Sequence, residues 1–241
     1  MTGVERMSPE LFVERLRQEG RRRYHDSHPF NKRMHAGDLT REEFQTWVAN
    51  RYYYQTRIPI KDAIILSKSE DPAFRRMWIR RLTDHDGQRE GEGGIYQWLR
   101  LAAGVGLDAE HVKEFVYLLP GVRFACDAYV QLVRERSLVE AVASSLTELF
   151  SPDLMAKRIT AVETHYPWVD REVLTYFRER VLRARWDSEE AIGFVLRAAD
   201  TRELQEKCIS AFITKCEILW SMLDAVQVAH RSGAGVGGLS R

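Results

Sequence analysis

Apolar residues recur at three- and four-residue intervals along most of the chain. Alternating β-branched runs bounded by turns are hard to find, so the pattern predicts an all-α fold. SPELFVERLRQEG offers Ser8 as N-cap, Pro9 at the first helical position and Gly20 as the stop. TREEFQTWV opens a second helix, in which Thr40 and Glu43 have capping-box spacing and positions 44, 47, 48, 51 and 54 share a face; Pro59 should end or kink it. DPAFRRMWIRRL starts a third, with Asp71 as cap and Pro72 after it, ending near Gly87. Further amphipathic stretches fall at 91–103, 108–117, 122–149, 152–164, 170–185, 188–199 and 201–229. RSGAGVGGLSR at the C-terminus has linker composition and no periodicity. The plan is therefore one helical domain over 1–230 and a flexible, linker-like tail over 231–241, which could tether a partner.

Several polar residues sit where packing alone would not put them. NRYYYQTRIPIKD, residues 50–62, is too polar for an ordinary core helix and too aromatic for a solvated face, and its Arg51, Tyr54 and Gln55 lie on one side. Lys215 lies on the apolar stripe of Leu204, Cys208, Phe212, Leu219, Met222, Leu223 and Val226. An ammonium there either snorkels to the edge of the core or faces an internal polar cavity, because unpaired burial is costly. In 122–149, Tyr129, Arg136, Glu140, Ser144, Thr147 and Glu148 fall near one line if the helix is unbroken, and that line faces water or a polar pocket. Tyr176, Arg180 and Arg183 share a face at i, i+4 and i+7. A bundle lined in this way suits a small, flat, oxygen-rich, multiply anionic ligand, with arginines on carboxylates and tyrosines on ring faces. Neither a reaction nor a ligand's identity follows from that.

Charge removes other partners from consideration. In 241 residues, 36 Lys and Arg against 35 Asp and Glu give no reason to expect nucleic acid or an acidic membrane. The basic residues are 29 Arg to 7 Lys, a bias that either reflects codon usage or favours planar, bidentate carboxylate recognition. The N-terminus lacks a basic segment followed by an apolar one, and no apolar run approaches the roughly 18 residues that span a bilayer, so a cytoplasmic protein is expected. Cys126, Cys208 and Cys216 form neither a CxxC pair nor an even framework, and should be reduced and buried.

The histidines do not form a metal-binding pattern. A di-iron bundle requires Glu-x-x-His on two helices, and the nearest approach, Glu163 with Tyr166, has no histidine at the required position. No metal is therefore expected. His165, beside a proline and a tryptophan in HYPWVD, reads as a structural residue at a packed helix start.

YHDSHPF, WVANRYYYQTRIPIKDAIILS, WIRRLTDHDG, SLTELF, HYPWVD, TYFRERV and KCEILWSMLDA together resemble the cofactor-independent pyrroloquinoline quinone synthase family, from about residue 8 to residue 230. The resemblance implies a compact seven-helix-type bundle of the haem-oxygenase-like kind, usually a homodimer. It implies the last step of pyrroloquinoline quinone synthesis: ring closure of a tricyclic quinone precursor, then multi-electron oxidation by O2 with release of H2O2, using no metal or organic cofactor. By the same resemblance His25, Arg51, Tyr54, Gln55, Tyr129, Thr147, Glu148 and Arg158 would contact substrate, while His85, Tyr176, Arg180 and Lys215 would surround the oxygen position as catalytic residues. Some relatives carry a histidine where this chain has Met155, so that histidine's role does not transfer. Two alternatives stay open: a quinone carrier that hands its ligand to a separate or tethered partner, and a di-iron oxygenase of the same fold.

Overall fold

The computed structural model describes residues 5–231, 235 and 236. Among these there is no β-strand, and twelve α-helical segments carry the fold: α1 (Pro9–Arg23), α2 (Pro29–Ala36), α3 (Arg41–Ser67), α4 (Pro72–Trp78), α5 (Arg80–Asp86), α6 (Gly93–Gly104), α7 (Ala109–Lys113), α8 (Pro120–Glu135), α9 (Leu138–Ser144), α10 (Ser151–His165), α11 (Thr175–Ala198) and α12 (Arg202–Arg231). Short 3-10 turns at His25–Ser27, Ser145–Phe150 and Arg171–Leu174 join them. The starts follow local chemistry. Ser8 accepts from Leu11 N, Thr40 and Glu43 close a capping box, and Asp71 accepts from Ala73 N and Phe74 N.

Tertiary packing decides where helices stop. Gly20 does not end α1, which runs three residues further; the Phe150 ring lies where a side chain at Gly20 would stand, so the glycine serves close packing rather than a helix stop. Pro59 does not end α3 either. The helix continues to Ser67 although the ring denies the Gln55 carbonyl its partner, since Ile58, Pro59, Lys61, Asp62 and Ile65 are all buried. The 122–149 stretch is broken at Arg136, whose extended backbone lets Ser137 cap a new helix. The stripe expected there dissolves: Arg136 and Glu140 pair at 3.3 Å near the surface, and Ser144 donates to its own helix at Ala141 O. Conversely, the expected 170–185 and 188–199 stretches merge into one helix, α11, after a 3-10 turn at Arg171–Leu174, and the 72–86 stretch divides at Ile79.

The long helices α3 and α12 are central. α12 packs on α1, α8 and α9; α3 packs on α5, α6 and α8; α10 and α11 pair with each other. Phe44, Trp47, Trp98 and Phe177 form an aromatic seam, with Trp47 and Trp98 edge to face at 5.6 Å. All three cysteines are free and buried. The tail from 231 lies mostly outside the described residues, but Val236 is buried and its N–H donates to Thr46 Oγ1 at 3.2 Å. His165 ends α10 rather than starting a helix, and is exposed, with its side chain over Gly37. A Cβ at Gly37, where φ is +82°, would lie 2.6 Å from it.

Candidate active site

An internal cavity of about 50 Å³ lies between the middle of α3, the end of α5, the 3-10 turns at 25–27 and 145–150, and the first turns of α10 and α11. His25, Arg51, Tyr54, His85, Thr147, Glu148, Tyr176 and Arg180 line it. Four more of the sequence-derived candidates stand directly behind this wall. Gln55 accepts from Tyr176 Oη at 3.0 Å, and Lys215 Nζ donates to Tyr54 Oη at 3.0 Å. Tyr129 stacks on Tyr54 and has the Lys215 ammonium nitrogen 3.4 Å from its ring centre. Arg158 donates to Asn31 Oδ1 at 3.2 Å and lies over the Trp47 ring. Arg183 stays outside the cavity, paired with Asp84 at 3.3 Å and Glu179 at 2.9 Å.

This geometry answers the puzzle of the three tyrosines. Tyr52 packs on Phe115; Tyr53 packs on Phe115 and donates to Asp127 Oδ1; Tyr54 faces the cavity. Lys215 does not snorkel: at 1 % exposure it faces two tyrosine rings. Met155, which stands where some relatives carry a histidine, lines the cavity, whereas sequence reasoning missed Tyr24, Ile58, Ser151 and Leu219 as wall residues. Their apolar or small side chains carry no signal beyond helical periodicity.

A buried ionic frame, also missed, supports one wall. Lys61 meets Asp62 at 2.7 Å and donates to Ser145 Oγ at 3.0 Å; Trp78 Nε1 donates to Asp62 Oδ1 at 2.9 Å. Arg81 reaches Glu148 at 2.6 Å and the Asp187 carbonyl at 2.5 Å. Burial works against ionised Glu148, yet Arg81, Arg180 and Lys61 hold its carboxyl down to about 2.

Elsewhere burial dominates. It drives Lys215 well below the ordinary lysine range, with Arg51 adding repulsion, and lowers Arg158 to about 9 by the same two causes. His85 is lowered to about 3, first by burial and then by Arg180. Its Nδ1 lies 3.0 Å from the Arg81 carbonyl, which can only accept, so Nδ1 holds the proton and the buried Nε2 lone pair has no partner.

The frame leaves charge and donors uncompensated. Around the cavity are six buried cations, Arg51, Lys61, Arg81, Arg158, Arg180 and Lys215, against the carboxylates of Asp62, Glu148 and Asp187. Arg51 Nε and Nη1, Arg158 Nε and Nη1 and Gln55 Nε2 are buried donors without an acceptor. Each such donor costs about 1–3 kcal/mol. The arrangement therefore favours a ligand that brings several anionic oxygens. Among the described residues, no three His, Cys, Asp or Glu side chains gather into a set that could hold a metal.

The TENA/THI-4/PQQC family profile matches residues 13–225, most of the chain. The chain belongs to that family. Two of its relatives bear the name pyrroloquinoline-quinone synthase. The protein of Gluconobacter oxydans is 44% identical over 227 residues, covering 94% of this chain and 95% of its own length. That of Rhizobium meliloti is 48% identical over 221 residues, covering 92% and 86%. Solved structures agree on the fold alone. A domain with a haem oxygenase-like fold from Shewanella denitrificans superposes with a TM-score of 0.75 at 12% identity, covering 94% of this chain and 95% of its own. A TenA homologue from Pseudomonas syringae gives 0.70 at 12%, covering 95% and 99%. The TENA/THI-4/PQQC chain thus has the haem-oxygenase-like bundle expected of it, in more and shorter segments than seven helices.

Proposed function

We propose that this chain is a pyrroloquinoline-quinone synthase that closes the last ring of a tricyclic, carboxylated quinone precursor and oxidises it with O2. The observation that carries the reading is the cluster of acceptor-less buried donors on Arg51, Arg158 and Gln55, an arrangement that favours a polyanion. The names of its relatives supply the rest. The substrate's own quinone is the electron sink, so the protein need only position it, exclude water and move protons. Each two-electron step transfers two electrons and two protons to O2, giving H2O2, with no metal or organic cofactor in the scheme.

The side chains divide accordingly. Arg51, Arg158 and Gln55 hold carboxylates, while Tyr54 and Tyr129 flank the ring plane, helped by His25, Thr147 and Glu148. His85, with Nε2 free, accepts a proton from the ring system; the Tyr176 hydroxyl, Arg180 and Lys215 stabilise reduced oxygen. A cavity of about 50 Å³ holds only a few water molecules, so a tricyclic ligand enters only if the walls part. Homodimerisation and a cytoplasmic location belong to the same reading. Light scattering at twice the 28.0 kDa chain mass checks the first.

Oxygen uptake by chelator-treated, metal-analysed protein given the tricyclic precursor, followed optically, is the deciding measurement. Oxygen consumption with product formation at negligible metal content supports the oxidase. Precursor binding without oxygen uptake makes the protein a carrier, and activity that tracks bound iron makes it an oxygenase. His85→Ala and Tyr176→Phe should bind precursor and oxidise it slowly; full turnover in both removes their assigned roles.

A further inference from the structure

Arg51, Arg158 and Lys215 have no carboxylate in ion-pair reach among the described residues, whereas Arg180 has two. Glu148 Oε1 stands 3.8 Å from Arg180 Nη2, and Asp187 Oδ2 stands 3.3 Å from Nη1. Asp187 follows Arg180 by seven residues on α11, two turns along the same face. It also lies on the wall of a second, outer cleft of about 340 Å³, built with Arg80, Thr83, Asp84, Arg183 and Trp186. Thr83 and Asp84 belong to the turn of α5 whose next residue, His85, lines the inner cavity. The Arg180–Asp187 pair and the Asp84–His85 peptide therefore separate the two spaces.

The pair is built to exchange. Its contact is single and long rather than bidentate. The stronger tie of Asp187 to the core runs through its backbone carbonyl, which accepts from Arg81 Nη2 at 2.5 Å. The carboxylate can thus rotate towards the outer cleft while α11 stays in place. The indole of Trp186, 68% exposed, stands in that cleft beside it.

We propose that Asp187 is a positioning residue that holds the place of an anionic ligand. Its carboxylate occupies Arg180 in the ligand-free protein, and a ligand carboxylate or oxyanion arriving through the outer cleft displaces it. The quinone identity of that ligand rests on the function proposed above; its negative charge does not. Neutralising Asp187 removes a competitor for Arg180, whereas loss of a merely structural contact would weaken binding.

Titrating pyrroloquinoline quinone and benzene-1,3,5-tricarboxylate into the wild type, Asp187→Asn and Asp187→Glu tests this. The Asn variant should bind both ligands roughly two- to tenfold tighter, the range a partly buried ion pair supports, and Glu should restore wild-type affinity. Unchanged or weaker binding by the Asn variant overturns the proposal while leaving the quinone reading standing. Tighter binding of the tricarboxylate, with no quinone binding by any form, keeps the proposal and overturns that reading. Binding of neither ligand overturns both. Should the Asn variant not fold, the wild type decides: ligand should shift the Trp186 emission, isolated by subtracting Trp186→Phe, and an unshifted signal rejects the displacement.

Discussion

Lys215 and His85 show how burial without a matching charge marks a site. Lys215 has two ring faces and a tyrosine hydroxyl but no carboxylate, so the fold holds an amine where an aliphatic chain would pack better. Lys215→Met should therefore raise the melting temperature, by roughly 2–4 °C per kcal/mol recovered, while abolishing most turnover. A lower melting point would mean that the lysine stabilises the core. For His85 the sign follows from its direction. Its folded pKa of about 3 lies below the ordinary 6.5, so the unfolded chain takes the proton first. Its contribution is whole above pH 6.5 and lost as pH falls from there towards 3. His35, lowered to about 4 by burial and then by Arg158, adds in the same window. In urea melts between pH 6 and 5, His85→Gln should reduce the pH slope of stability by about 1.4 kcal/mol per unit. An unaltered slope would assign the acid sensitivity elsewhere.

At the scale of elements, starts marked by a local cap were legible, whereas the ends expected at Gly20 and Pro59 and the new start after Ser137 were not. Ser8, Thr40 and Asp71 cap where expected because a cap is settled by neighbours a few residues away. Gly20 and Pro59 misled because their neighbours are distant: Phe150 fits over the bare Gly20, and burial on α3 outweighs a missing hydrogen bond. The broken stripe after Arg136 still delivered Thr147 and Glu148 to the cavity, although by a 3-10 turn rather than one helical face. The ionic frame of Asp62, Arg81 and Asp187 stayed hidden because its charges are far apart in sequence and resemble solvated helix positions. Two glycines separate these levels experimentally. At Gly20 an added Cβ would stand 2.1 Å from the Phe150 ring, so Gly20→Ala should destabilise by about 1–3 kcal/mol in a denaturant melt. At Gly94 it would stand 3.3 Å from Tyr176 Cε2, close enough only to nudge that ring. Because alanine favours the helix by up to about 1 kcal/mol, Gly94→Ala should keep stability yet lower kcat severalfold. Parallel losses of both in the Gly94 variant would count against a site-specific effect.

Across the whole molecule the charge is +1, nearly balanced, yet the interior is not. Paired charges such as Arg33 with Glu43 and Arg183 with Asp84 reach the surface, and among the described residues the buried cations without carboxylates, Arg51, Arg158 and Lys215, are gathered round one cavity. Such segregation is costly in the free protein, and the cost appears as depressed affinity for protons at Lys215 and Arg158, the latter near 9. An anionic ligand supplies the missing negative charge and must raise both values. Binding is then linked to proton uptake wherever Lys215, whose proton affinity burial lowers, is partly neutral in the free protein and charged in the complex. Benzene-1,3,5-tricarboxylate is fully ionised at pH 9, so its own protons do not enter the count. Calorimetric titrations at that pH, in buffers of different ionisation enthalpy, should give a positive number of protons taken up, reduced in Lys215→Met. Zero uptake or net release would mean that the ligand does not neutralise these cations, because an anion placed beside an ionisable group favours its protonated form. Either result would break the link between the acceptor-less donors and the ligand's charge.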